Sequence, residues 1–70
     1  MSAAKKIKIL LVEREMTLSQ LANLLGKSVS TLSDKMKRDN FAENDLKKIA
    51  EVLNYDYEAV FTDRETGKTI

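Results

Sequence analysis

Cysteine and histidine are both absent from this 70-residue chain. No disulfide can staple it, no thiolate or imidazole set can hold a metal ion, and imidazole catalysis is excluded. Glycine occurs only at Gly26 and Gly67, so there is no glycine-rich loop to cradle a phosphate. No apolar run approaches the ~18 residues needed to span a bilayer, and the first residues lack the cleavage site of a secretory signal. The expectation is a cytoplasmic domain without a membrane partner, metal, cofactor or small-molecule ligand. Eleven acidic residues remain, all at spacings usual for solvated helix faces, so no catalytic constellation is expected either.

What the chain does contain is 43% hydrophobic and 33% charged residues, the balance of a folded domain rather than a disordered tail. A domain this small buries roughly 60% of the surface its unfolded chain exposes. Stability must come from a compact apolar core, alone or completed by a second copy of the chain. The net charge of +1 hides an asymmetry. Residues 1–40 carry eight basic and four acidic groups, whereas residues 41–70 carry four basic and seven acidic ones. A polyanion is drawn to the first part and repelled from the second.

Hydrophobic periodicity predicts four helices. The first covers about 3–15, with Ile7, Leu10 and Leu11 on one stripe and Ile9 and Val12 on the opposite side. That second apolar side calls for a cover, either the C-terminal segment or a partner chain. The second helix opens with a capping box at Thr17 and Gln20, and Met16 and Leu21 are spaced as a hydrophobic staple. Leu18, Leu21, Ala22 and Leu25 form its inward face, and Gly26 stands where a left-handed stop is expected. The third starts from Ser28 as N-cap and ends near Arg38 or Asp39, with Val29, Leu32 and Met36 inward. Its outer face holds Ser30, Thr31, Asp34 and Arg38, together with Lys27, and Lys35 and Lys37 lie on the flanks. The fourth covers about 43–53, with Leu46, Ile49, Ala50 and Leu53 inward, a staple between Phe41 and Leu46, and Ala42 as a poor N-cap.

The tail alternates with period two at Tyr57, Ala59 and Phe61, and residues 63–67 read as a turn with glycine in a left-handed slot. This predicts a β-hairpin over 56–70, with a short fifth helix at 56–61 as the alternative. The whole reads as one mainly α domain, with its helical core at about 3–54.

Residues 17–38 hold the strongest functional signal. Two short helices joined at a tight corner, the second ending in a basic cluster, is the arrangement that places one helix in the major groove of DNA. Ser30 and Thr31 offer hydroxyls to base edges, and the Thr31 methyl suits a thymine methyl. Thr17, Ser28 and the free amides at the two helix starts suit phosphate. Lys27, Lys35, Lys37 and Arg38 supply counterion-releasing charge. Asp34 opposes phosphate, and helps only by accepting from a cytosine amino group or by orienting Lys35 or Arg38.

The segments Leu21-Ala22-x-x-Leu25-Gly26-x-Ser28 and Leu32-Ser33-x-Lys35-x-x-Arg38-Asp39-Asn40-Phe41, followed by Asp45-Leu46-x-x-Ile49-Ala50-x-x-Leu53, resemble the phage Cro and repressor type, or XRE-like, helix-turn-helix family. The resemblance spans about 5–54. It implies a lambda-repressor-like bundle of four or five helices, sequence-specific duplex DNA binding, usually as a homodimer, and control of transcription in a bacterial or phage setting. It places Val29, Ser30 and Asp34 in base-reading slots and Thr17 on the DNA backbone. Three positions depart from the pattern. Lys35 stands where the family often has an apolar residue, Val29 stands in a slot that often holds a polar reader, and the tail suggests a hairpin rather than a helix. Ile9, Val12 and Phe61 are the expected dimer or partner contacts. The alternative function is a protein-interaction module on the same scaffold, such as an antitoxin or adaptor.

Overall fold

A computed structural model describes residues 2–58 and 61–69. Four helices follow in order: α1 Ala3–Glu13, α2 Leu18–Leu24, α3 Val29–Arg38 and α4 Glu43–Leu53. No helix among the described residues is long and apolar enough to cross a membrane.

Local chemistry sets the helix starts. The Ser2 hydroxyl accepts from the Lys5 amide (3.2 Å) at the start of α1. At α2 the Thr17 hydroxyl accepts from the Gln20 amide (3.1 Å), and the Gln20 carboxamide oxygen accepts from the Thr17 amide (2.8 Å). These reciprocal bonds satisfy two of the donors that a helix start leaves open. Ser28 does the same for Thr31 at α3 (3.2 Å). Ala42 has no side-chain cap to offer, and Asp45 supplies half of the missing pair by accepting from the Ala42 amide (3.0 Å).

All four helices stop on a left-handed residue: Glu15, Gly26, Asp39 and Asn54, with φ of 52°, 69°, 51° and 62°. In each case the next amide returns to a carbonyl one turn inside the helix, as Lys27 does to Ala22 (2.9 Å) and Tyr55 to Ala50 (2.8 Å). A Cβ on Gly26 would meet nothing within 4 Å, so glycine is needed there for its backbone conformation and not for space. Glu15 explains why α1 ends at Glu13 and not at residue 15: the chain turns left-handed there, and the Met16 amide bonds to the Leu11 carbonyl (2.9 Å).

The core is small and continuous. Leu21 and Leu32 are fully buried where α2 meets α3, and Ile7, Leu11, Ile49 and Leu53 close over them from α1 and α4. Leu10, Leu18, Leu25, Met36, Phe41 and Leu46 pack around this centre, half-buried. Long-range polar contacts then fasten α1 at both ends. Asp39, at the end of α3, accepts from the Ala4 amide (2.8 Å). Arg14 donates from Nε to the Leu53 carbonyl (2.8 Å) and lies over the Tyr55 ring at 4.0 Å. A cation capping the last carbonyls of α4 is also favoured by the helix dipole.

One sequence expectation needs correction, and a second is met only in its turn. Val29 is 47% exposed rather than inward with Leu32 and Met36, because it lies in the first turn of α3 beside an open hollow that α2 lines without closing. Among the described residues the tail shows neither a strand pair nor a fifth helix. Residues 55–58 are non-helical, and among the described residues the only β pairing is a single antiparallel bridge between Thr62 and Thr69. That bridge closes a turn in which Asp63 Oδ1 accepts from the Glu65 amide (2.8 Å) and Gly67 sits at φ 75°. Phe61 is 78% exposed and is buried by no other described residue. Ala59, Val60 and Ile70, parts of the hairpin and helix readings, lie outside the described residues.

Candidate nucleic-acid interface

The first turn of α3 is exposed from Lys27 through Thr31 and internally bonded. Ser28 Oγ lies 2.7 Å from Thr31 Oγ1 and 3.3 Å from Ser30 Oγ. The cap thus gathers three hydroxyls into one cluster at the helix start. Thr17, the cap of α2, is exposed as well. Val29 stands beside an open hollow between α2 and α3 that Ser19, Gln20, Asn23 and Lys27 also line.

Further along the same helix, Asp34 and Arg38 form an i, i+4 ion pair (3.2 Å) with side chains 60% and 72% exposed. Such pairs hold by a few tenths of a kcal/mol, roughly 0.3–0.5, and open readily for a stronger partner. Lys27 and Lys37 are exposed and form no ion pair among the described residues. The outer face of α3 therefore presents Ser30, Thr31, Asp34, Lys37 and Arg38 to solvent together, with Lys27 and Ser28 at its start.

Lys35 is placed differently. Its ammonium lies 2.8 Å from Asp45 Oδ2, and its side chain is only 30% exposed. The aliphatic stem covers apolar surface, lining a small hollow with Leu25, Leu32, Phe41 and Ile49. This resolves the departure noted at position 35. A lysine fits there because an acid at the start of α4 receives its charge, so the group fastens α3 to α4. The Lys35 ammonium, together with the Ala42 amide, holds the Asp45 carboxyl below its ordinary value of 3.8. A carboxylate stabilised in this way contributes to folding above the pKa it has in the unfolded chain, and that contribution is lost as pH falls through its lower, folded value. Asp45→Asn is expected to cost roughly 1 kcal/mol at neutral pH. It should also flatten the loss of stability below about pH 4, as read by chemical denaturation at pH 7 and pH 3.

Sequence reasoning missed three residues that hold this face in place: Asp45 behind Lys35, Asp39 between α3 and α1, and Arg14 between α1 and α4. Only the first left a signal, in the basic residue at a position that calls for an apolar one. The expected partner contacts lie elsewhere. Ile9 and Val12, on α1, are 48% and 77% exposed. Ile9 borders an open groove of about 430 Å³ formed with Leu10, Leu46 and Tyr57.

Comparison with protein families finds one match, to a family described as Helix-turn-helix, over residues 7–60. Comparisons with curated proteins and with solved structures found no significant match. The family match runs from within α1 to beyond α4, across the two helices that meet at Gly26, and the chain belongs to the XRE-type helix-turn-helix family of DNA-binding domains.

Proposed function

We propose that this chain is a sequence-specific regulator of transcription that binds duplex DNA as a homodimer in the cytoplasm. In this reading α3 enters the major groove. Its first turn, from Ser28 to Thr31, meets base edges with Val29 and Ser30, and Asp34 reads or rejects one turn later. Lys27, Lys37, Arg38 and the Thr17 hydroxyl hold the phosphates on either side. Lys35 contributes by keeping α3 in register on α4. The observation that carries the reading is the outer face of α3 and its start, where hydroxyls, Lys27 and Lys37 with no ion pair among the described residues, and a weakly paired arginine stand exposed beside the corner at Gly26.

Backbone-amide NMR during titration with a duplex of about two helical turns tests it. The expected shifts concentrate at Thr17 and across Lys27 to Arg38. Shifts confined to Ile9, Val12 and the tail, with α3 silent, favour the protein-interaction alternative instead.

The dimer rests on the exposed apolar side chains Ile9, Val12 and Phe61, the last also 78% exposed. Exposed apolar groups of this size mark an association surface more often when they share one side of an element, as Ile9 and Val12 do. Sedimentation of wild type beside an Ile9→Glu, Val12→Glu variant is expected to show a dimer and a monomer. In the dimer the two α3 helices should stand about 34 Å apart, one turn of DNA. A monomeric wild type at DNA-binding concentrations refutes the dimer.

A further inference from the structure

Val29 is the one aliphatic side chain that α3 turns to solvent, at 47% exposure, while Leu32 one turn on is fully buried. A single exposed valine is ordinary on a protein surface. Its surroundings set this one apart. The hydroxyls on either side of it are already engaged, Ser28 with Thr31 at 2.7 Å and with Ser30 at 3.3 Å. One turn further on, Asp34 and Arg38 engage each other at 3.2 Å. The exposed aliphatic group at the leading tip of the helix is the Val29 isopropyl, beside the hollow that Gln20, Asn23 and Lys27 line. It carries no donor or acceptor, so it cannot read the polar groups of a base edge. The major groove offers one apolar group, the C5-methyl of thymine.

We propose that Val29 is a specificity-determining residue that selects thymine in the bound duplex by packing on its C5-methyl. This rests on the duplex-binding function proposed above. Burying one methyl against an aliphatic side chain corresponds to about a three- to five-fold preference for thymine over the same base without its methyl. Deoxyuridine makes that comparison cleanly, since it keeps the pairing edge and the O4 acceptor and lacks only the methyl.

The test begins with a duplex selected by the wild-type chain from a random pool of about 20 base pairs. Each thymine of that duplex is replaced in turn by deoxyuridine, and affinity is read by fluorescence anisotropy. One thymine per half-site is expected to show about a three- to five-fold loss with wild type. Val29→Ala should bind the thymine and deoxyuridine forms of that site equally well. Val29→Ser, which removes both methyls of the isopropyl group, should likewise bind the thymine and deoxyuridine forms equally well, giving the same readout should the alanine variant not fold. Sensitivity at no thymine, or sensitivity retained in both variants, overturns the assignment while leaving duplex binding intact. A pool from which no duplex is enriched overturns duplex recognition itself.

Discussion

A Leu32→Ala variant is expected to lose about 2–5 kcal/mol of stability, the usual range for emptying a fully buried leucine site. Leu32 is 0% exposed and faces Leu21, also 0%, across the contact that joins α2 to α3. The neighbours cannot close the gap cheaply. Gly26 and the caps at Thr17 and Ser28 fix the ends of both helices, and Lys35 ties α3 to α4. A 70-residue domain has only about 3.5–10 kcal/mol of stability in total. The variant should therefore melt roughly 10–30 °C lower, or be largely unfolded at 37 °C. Val29→Ala, three residues away on the same helix but half-exposed, should cost less than about 1 kcal/mol. Thermal denaturation of the two side by side separates the buried side of α3 from its exposed one. A small loss in Leu32→Ala would mean that α3 does not pack as described.

The sequence made local features legible and left tertiary ones hidden. Thr17 with Gln20, Ser28 as a cap, Gly26 as a left-handed stop and the inward stripe of α4 all follow from residues within one turn of each other, so pattern alone finds them. Asp39 bonds to Ala4 across 35 positions, and Arg14 to Leu53 across 39. No periodicity encodes such pairs. Glu15 hid the end of α1, because a non-glycine residue at φ 52° carries no compositional flag. Val29 was misplaced for a related reason. A helical wheel assumes that packing continues to the helix tip, whereas beside Val29 the space between α2 and α3 stays open. In the tail, the turn closed by the Thr62–Thr69 bridge was legible from Asp63 and Gly67, whereas the alternating segment includes Ala59 and Val60, which lie outside the described residues.

The candidate site followed the same division. Exposure of Ser30, Thr31, Asp34, Lys37 and Arg38 on one side of α3 follows from spacing. The withdrawal of Lys35 to Asp45 does not, since it depends on which acid α4 brings alongside. That placement separates the basic cluster into residues available to a polyanion and one held by the protein.

The most direct measurement of the central claim is the salt dependence of duplex affinity for wild type and for a Lys27→Ala, Lys37→Ala, Arg38→Ala variant. Each phosphate contact contributes about 0.9 to the slope of log affinity against log salt. Losing three per subunit should lower the slope by about 2.7 per bound subunit and weaken binding roughly 100- to 500-fold at 0.1 M salt. The fold should persist, since none of the three side chains is buried. Lys35→Met, which removes a charge already held by Asp45, should leave the slope unchanged. An unaltered slope in the triple variant, with its helical content intact, would contradict the assignment of α3's outer face to DNA.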